Sequence, residues 1–370
     1  MKIALFGPVY PWRGGIAHYT TLLAAAIRRH GHDTLLISFR RQYPAFLFPG
    51  RSDRDPSQRP LYAEDACYWI DSLNPFTWLM TFRRLYAYRP DLLILQWWTT
   101  FWAPLYLTLG VLNRILLGAP LVYLCHNVLP HEAREGDRLV ARAVLRLGSH
   151  FIVQSTAEEA RLRALLPWVR ASIAPLPVYT IGTGERLPKR EARRRLALPE
   201  GVPVLLFFGI VRPYKGLDLL LAALPLVRAR IGDVRLIVAG EFWEPQRRYR
   251  EQMQSLGIEA IVVIDDRYIP DEETPLYFSA ADLLVAPYRH VTASAVVQMA
   301  KGFGLPTVST ADLMSEEAVD SADVTIETLA SAICDALERE VSVLPAAVNV
   351  KEGVGWNQLV MLLERMAEVA

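Results

Sequence analysis

Short apolar runs alternate with longer stretches of helical periodicity along most of the chain. In the first half, Lys2–Phe6, Thr34–Phe39, Leu92–Leu95, Leu121–Cys125 and Phe151–Gln154 read as strands, and Ile16–His30 reads as a helix stopped by Gly31. These strand segments are apolar throughout rather than alternating. A strand needs that only where helices cover both faces of its sheet, as in a parallel β-α-β arrangement. The stretch Pro175–Lys189, which contains Pro175, Pro177, Gly182, Gly184 and Pro188, breaks the rhythm and reads as a linker. The alternation then restarts. Val204–Phe208, Val234–Ala239, Ala260–Ile264, Asp282–Ala286 and Pro306–Ser309 are strands, and helices are expected at Gly216–Arg230, Gln246–Leu256, Thr274–Ala280 and from about Ser294. The expected fold class is α/β. Two doubly wound, Rossmann-like parallel-sheet domains, 1–178 and 190–345, would face a cleft. The tail 346–370 would supply a closing helix, amphipathic from Trp356 to Ala370. Ligands in such sheets bind beyond the carboxyl ends of the strands, so chemistry is sought in the turns that follow them.

Two stretches depart from the pattern. Leu92–Asn113 carries no charged residue and is long enough to span a bilayer. However, Gln96, Thr99, Thr100 and Pro104 interrupt it, dividing a buried strand at Leu92–Trp97 from an apolar helix at Ala103–Leu117. Arg40–Arg59 is dense in Arg, Pro and Asp without periodicity and reads as a mobile surface loop. Its Asp53-Arg54-Asp55 matches a D-x-D metal pattern, but no strand leads into it, and no metal or other cofactor is expected.

Composition narrows the classes. A chain of 370 residues suits two domains rather than one core. Forty Lys and Arg against 39 Asp and Glu give no support for a nucleic-acid partner. Cys67, Cys125 and Cys334 are isolated and odd in number, which argues against a disulfide framework or a zinc cluster and points to a reducing cytoplasm. The apolar run Met1–Gly7 is too short for a signal peptide.

Four constellations carry chemistry. Gly209-Ile-Val-Arg212-Pro-Tyr-Lys215-Gly216 directly follows the strand Val204–Phe208 and precedes a helix. There the planar fork of Arg212 and the point charge of Lys215 can converge on one diphosphate; the plainer reading is a solvated turn. The second runs from Thr292 through Ser294, Ala295 and Val296 to Gly304-Leu-Pro306. Thr292 or Ser294 can cap a helix whose open N–H groups and dipole attract phosphate, unless it is an ordinary capped helix. The third is Pro11-Trp-Arg-Gly14-Gly15-Ile16. Gly14 and Gly15 let backbone approach a ligand, but G-x-G-x-x-G is absent. In the fourth, Cys125-His126-Asn127 through His131-Glu132, His126 sits at a strand end where it can contact a reacting sugar or serve a structural turn. Glu241, ending another strand, is a further candidate for a nucleotide or sugar hydroxyl. Serine-nucleophile elbows, Walker loops and H-E-x-x-H are absent from the sequence.

Taken together, these residues resemble the family 4 retaining glycosyltransferases of GT-B fold, over nearly the whole chain. Gly14-Gly15-Ile16 with Gly31-His32 is similar to that family's N-terminal glycine loop and helix end. His126 falls where the family has its active-site histidine, and Ser155 with Glu158 and Glu159 resembles the motif before the last N-domain helix. Phe208-Gly209 through Lys215-Gly216-Leu-Asp218 is similar to the donor-phosphate turn, and Tyr277–Asp282, Pro287 and Gly304-Leu-Pro306 to the stretch that closes the donor site. One departure stands out. The family commonly has two glutamates seven residues apart here, yet Pro287–Pro306 contains no Asp or Glu. Arg289, His290 and Thr292 stand near the first position, and Gln298 or Met299 near the second.

The resemblance implies a metal-independent, substrate-assisted front-face transfer from a nucleotide-diphosphate sugar, with His126, Arg212 and Lys215 as catalytic residues. The donor base would lie against Arg267–Pro270, including Tyr268 and Ile269. The acceptor would be a glycan or a lipid-linked molecule held by the N-terminal half. Trp78, Trp97, Trp98, Phe101, Trp102 and Tyr106, with Arg83, Arg84 and Arg89, then suggest either an aromatic–basic surface seated on a lipid head-group layer, such as the inner membrane, or core packing plus sugar stacking. The corresponding location is cytoplasmic, peripheral on the cytoplasmic membrane face. Two other readings remain open. One is a nucleotide-sugar epimerase or hydrolase of the same fold. The other is a catalytically silent nucleotide-sugar-binding subunit, which the missing glutamates favour.

Overall fold

The computed structural model describes residues 1–130, 135–182, 186–289, 294–310, 324–342 and 354–368. The chain divides into two compact units. The first comprises Met1–Asp55, Leu61–Pro177 and Gly353–Ala370, and the second Pro56–Pro60 and Val178–Glu352.

The first unit is built on a seven-stranded sheet, β1 (Lys2–Phe6), β2 (Asp33–Arg41), β3 (Cys67–Asp71), β4 (Leu92–Trp97), β5 (Leu121–Cys125), β6 (His150–Val153) and β7 (Ala171–Ile173), in the order β3-β2-β1-β4-β5-β6-β7. All pairs are parallel; Ile3, for example, lies opposite Thr34 on one side and Leu92 on the other. Its helices are α1 (Gly15–Arg29), α2 (Pro75–Tyr88), α3 (Ala103–Leu112, continued by a π turn Asn113–Leu117), α4 (Glu135–Leu145) and α5 (Thr156–Leu165). Because side chains alternate across a strand, Ala4, Phe6, Leu93, Leu95 and Tyr123 share one face. They form a single core there with Phe82 and Leu85 of α2, Tyr106 and Leu109 of α3, Val144 of α4 and Leu162 of α5.

The second unit holds a five-stranded parallel sheet, β8 (Val204–Phe208), β9 (Arg235–Ala239), β10 (Val262–Asp265), β11 (Leu283–Ala286) and β12 (Thr307–Ser309), in the order β10-β9-β8-β11-β12. Its helices are α6 (Lys189–Arg195), α7 (Leu217–Ile231), α8 (Arg247–Leu256), α9 (Thr274–Ala280), α10 (Ala295–Gly302) and α11 (Ile326–Ser342). Leu220, Leu224, Ile333 and Leu337 join α7 and α11 over Leu205, Phe207, Leu236 and Val285. The last helix, α12 (Val354–Glu368), belongs to the first unit, where it packs on α1.

The structure corrects one expectation, adds two strands and decides between two readings of the aromatic residues. The stretch Arg40–Arg59 is not a free loop. Arg40 and Arg41 extend β2, and the Asp55 amide donates to Pro11 O at 2.9 Å. In the second unit the Asp271 amide donates to Ser57 Oγ at 2.8 Å, and the Gln58 and Arg59 amides donate to the Glu272 carboxylate at 3.0 and 3.3 Å. Backbone amides hold this segment, so side-chain periodicity could not reveal it. Strands β3 and β7, the two sheet edges, add to the strands read from the sequence: β7 is only three residues with Ser172 at its centre, whereas Cys67-Tyr68-Trp69-Ile70 in β3 is an apolar run that did carry a strand signal. Finally, Trp78, Trp97, Trp102 and Tyr106 are core residues rather than an aromatic surface. Trp97 Nε1 donates to Val128 O at 3.0 Å, Tyr106 Oη to Gln96 O at 2.7 Å, and Trp98 Nε1 to Tyr43 Oη at 3.0 Å. An indole or phenol can enter a core when its polar atom finds such a partner.

Candidate active site

Each sheet reverses its strand order once. In the first unit the reversal lies between β1 and β4, and in the second between β8 and β11. At such a point the two flanking connections run to opposite faces of the sheet, leaving a crevice beyond the strand ends. Arg212, Lys215 and Ser294 stand near the second of these places, and Gly14, Gly15 and His126 stand at strand ends near the first; Tyr268 and Ile269 instead follow β10 at the sheet edge, two strands away.

In the second unit, β8 runs into the turn that carries Arg212 and Lys215. The Lys215 amide donates to Arg212 O at 2.9 Å, which closes a 3₁₀ turn over Pro213–Lys215. Gly216 ends it in the left-handed region at φ 69°, and a Cβ there would stand 2.0 Å from Pro287 O at the end of β11. Only glycine lets the two strand ends come so close. The Lys215 ammonium is carried back over Gly209. A Cβ on Gly209 would meet Lys215 Nζ at 3.1 Å and Val296 Cγ2, in the first turn of α10, at 3.4 Å. Lys215 is only 9% exposed. Burial first, and the neighbouring positive charge of Arg212 second, bring its amine down to about 8. Arg212 lies 5.6 Å from the ring centroids of both Tyr214 and Trp243.

Helix α10 begins beside this amine. Ser294 is its N-cap, with Oγ accepting from the Val297 amide at 3.3 Å and donating to Tyr288 Oη at 3.3 Å. The cap serves Val297, and the amides of Ala295 and Val296 precede the first intrahelical bond. Two cations and a helix N-terminus therefore converge where β8 and β11 part. Thr292, His290 and the rest of 290–293 lie outside the described residues.

A second pair of residues ties the turns together. The Arg289 guanidinium donates to both oxygens of Asp218, at 2.8 and 2.7 Å, and to Pro213 O at 2.8 Å, while its amide donates to Tyr214 O at 2.7 Å. Burial would raise the Asp218 carboxyl, but the hydrogen bonds and charge of Arg289 hold it below its ordinary range. The sequence showed Arg289 only as an occupant of a missing glutamate's neighbourhood; its partner lies 71 positions away. Glu241, at the end of β9, is buried, and its carbonyl accepts from the Val211 amide at 2.9 Å. Tyr268 and Ile269 follow β10. Ile269 is buried, and next to them Arg267 bridges Asp265 and Glu273.

In the first unit, Gly14 caps α1 at φ 108° with no atom within 4 Å of a notional Cβ, so it serves the turn rather than a tight packing contact; Gly15 opens the helix. His126 stands at the end of β5 with both ring nitrogens engaged. Nε2 lies 2.8 Å from Gln96 Oε1, and Gln154 Nε2 lies 3.1 Å from Nδ1. Gln96 Nε2 in turn donates to Thr20 Oγ1 at 2.7 Å. Burial drives the imidazole down to about 3, so it is neutral at physiological pH. The expected hydrogen bond from His126 to a substrate thus competes with Gln96. The lone amide of Gln96 inside an apolar strand was the visible signal for this network. Glu158 accepts from the Val128 amide at 2.6 Å and pairs with Arg161, pinning the segment after His126. His131 and Glu132 lie outside the described residues.

Comparison with known proteins identifies the family of both halves of the chain. Residues 14–178 match the glycosyl transferase 4-like domain, and residues 202–339 match glycosyl transferases group 1. The D-inositol 3-phosphate glycosyltransferase 1 of Catenulispora acidiphila is 28% identical over 285 residues, covering 68% of this chain and 67% of that protein. The GDP-mannose:glycolipid 4-beta-D-mannosyltransferase of Xanthomonas campestris is 28% identical over 205 residues, covering 52% and 51%. The chain thus spans about two thirds of the first relative's length and about half of the second's. Among solved structures, Anabaena Alr3699/HepE in complex with UDP-glucose superposes with a TM-score of 0.66 at 18% identity, covering 100% of this chain and 99% of that one. With both domain models matched in order on two parallel-sheet units, the chain belongs to the GT-B glycosyltransferases, a glycosyl transferase 4-like domain followed by a group 1 domain.

Proposed function

We propose that this chain transfers a hexose, with retention of configuration and without a metal, from a nucleotide-diphosphate sugar to a glycan or lipid-linked acceptor. The observation that carries this is that Lys215 Nζ and Val296, in the first turn of α10, both stand against Gly209, with Arg212 near enough for its charge to act on the amine. Such an arrangement stabilises the negative charge that grows on a departing diphosphate, the task a magnesium ion performs elsewhere. The acceptor oxygen forms its bond to the anomeric carbon as the bond from that carbon to the diphosphate breaks. The acceptor proton passes to the departing phosphate oxygen on the same face. No carboxylate is then required between Pro287 and Pro306, where the sequence has none. Tyr268, Ile269 and Glu241 are assigned to the nucleoside, and Thr292 and Ser294 to the phosphates. Gly14 and Gly15 are assigned to donor contacts from the first unit. His126 acts through its position at the end of β5, its ring held neutral by Gln96 and Gln154. The acceptor class takes support from the glycolipid named for the Xanthomonas relative. Such an acceptor would bring a cytoplasmic protein to the membrane face.

The test is calorimetry with UDP, GDP and ADP on the wild type and on Arg212→Ala and Lys215→Ala, together with turnover across an acceptor panel. Each variant should weaken diphosphate binding by about 10- to 100-fold, as expected for loss of a charged hydrogen bond. Chelation should leave turnover unchanged, and NMR of the product should show the donor's anomeric configuration. Unchanged affinity in both variants would remove the assignment. Tight diphosphate binding with no turnover across the panel favours the silent subunit. Donor hydrolysis or isomerisation without an acceptor favours the epimerase or hydrolase.

A further inference from the structure

Helices α2, α3 and α4 pack side by side on one face of the first sheet and share its core. Their outward faces therefore point the same way. On α2 that face shows Phe76, 67% exposed, and Leu79; beyond α3 the π turn shows Ile115, 71% exposed, and Leu116; on α4 it shows Leu139, 73% exposed. Trp168, 63% exposed, stands beside α4 with Arg142 at 5.9 Å from its ring. Arg83, Arg114, Arg138 and Arg142 are exposed among these apolar residues. No Asp or Glu occurs in Pro75–Tyr88 or in Thr100–Leu117. Among the described side chains of the three helices, the only carboxylate is Asp137, which is bonded to the Thr100 hydroxyl.

The segment Thr100–Leu117 is long and apolar enough to cross a bilayer, yet only 39% of it is buried. It does not read as a core helix, which would be mostly covered. Nor does spanning fit, since Tyr106 and Leu109 are fully buried in the core and the Tyr106 hydroxyl is bonded to Gln96 O. What remains is an apolar, arginine-studded face at the protein surface, with a tryptophan at its margin. That composition matches the boundary between lipid tails and anionic head groups, where side chains bury apolar stems and keep cations in the head-group layer.

We infer that the outer face of α2, the α3 π turn and α4 seats this chain on an anionic lipid bilayer, lying on it rather than crossing it. A second copy is a poorer occupant. A two-fold dimer through this face would set its arginines against one another without acidic partners. The surface deepens the lipid-linked acceptor reading and rests on it for its purpose, but it is tested without donor or acceptor.

The experiment is flotation of the full chain with phosphatidylglycerol-containing vesicles and with pure phosphatidylcholine vesicles, at low and high salt. The wild type should float with the anionic vesicles, less at high salt and less with the neutral ones. Ile115→Glu combined with Leu116→Glu should reduce partition by about tenfold or more. Arg138→Glu and Arg142→Glu should each reduce it by about fivefold or more. Leu226→Glu, which alters an exposed leucine on α7 of the second unit, should leave it unchanged. Melting temperatures matching the wild type show that the variants fold, as expected at exposed positions. Failure of the wild type to float, equal flotation of all variants, or a dimer in light scattering that Ile115→Glu dissolves would each overturn the inference. None of these outcomes bears on diphosphate binding, so the inference and the transferase reading fail separately.

Discussion

At the scale of single residues, Lys215 is in conflict with its surroundings. An exposed lysine holds its proton to about 10.5, whereas this one, buried beside Arg212, lets go near 8. Between those values the unfolded chain binds more protons than the folded one, so stability rises with pH there, and below about 8 the penalty is fully present. Lys215→Met should therefore stabilise the second unit at pH 7 by on the order of 2 kcal/mol while weakening diphosphate binding about 10- to 100-fold. Urea unfolding beside calorimetry checks both halves. A bound diphosphate has the opposite effect on the proton. It favours the ammonium, so binding should take up a proton around pH 8 and weaken as pH rises above it. The uptake would appear as a binding enthalpy that depends on the buffer's own ionisation heat. Lys215 and Arg212 were legible in the sequence because a strand–turn–helix placement is local. The burial that lowers the amine was not, since Tyr288, whose ring stands 5.6 Å from it, lies 73 positions downstream.

At the scale of elements, the proposed diphosphate site depends on two turns being held at a fixed separation. Gly216 permits the approach of the β8 and β11 ends, and the fork of Arg289 on Asp218 locks it. Arg289 is a positioning residue, acting through the Pro213–Lys215 turn. Arg289→Ala should raise KM for the donor about tenfold and change kcat less, because the pair is partly exposed and the phosphate ligands themselves remain. Arg289→Lys should recover little, since an ammonium cannot span both carboxylate oxygens. The charge-swapped pair Asp218→Arg with Arg289→Asp should recover more than either single change. A KM equal to wild type in Arg289→Ala would show that the turns hold their places unaided. The elements carrying these residues were read closely from the sequence. Val204–Phe208 and Thr274–Ala280 coincide with the observed strand and helix, and Ser294 is the cap of α10. Long apolar runs and caps are local signals. The three-residue edge strand Ala171–Ile173 carries no such signal, whereas Cys67–Ile70 is an apolar run whose strand was legible.

At the scale of the whole molecule, the chain closes its first unit with its last helix. Trp356 lies against Tyr19, ring centroids 5.1 Å apart, and Glu364 meets His32 Nε2 at 2.7 Å. Trp356, Leu359, Val360 and Leu363 are all buried there. Trp356→Ala should destabilise the first unit by about 3 kcal/mol. The loss should appear as faster hydrogen exchange in α1 and β1, with the amides of β8 and β9 unaffected. Equal exchange across both units would mean that the helix is dispensable.

The sequence by itself determined the α/β class, the restart after Pro177 and the strand-end positions where Arg212, Lys215, Ser294 and His126 stand, because each follows from short-range periodicity and turn chemistry. Only the tertiary structure decided what surrounds those positions: which glutamines occupy the ring of His126, what Arg289 holds, and which aromatics are core rather than surface. Those outcomes depend on contacts between residues far apart along the chain, and a side chain's burial, and with it its charge state, is a property of that assembled neighbourhood.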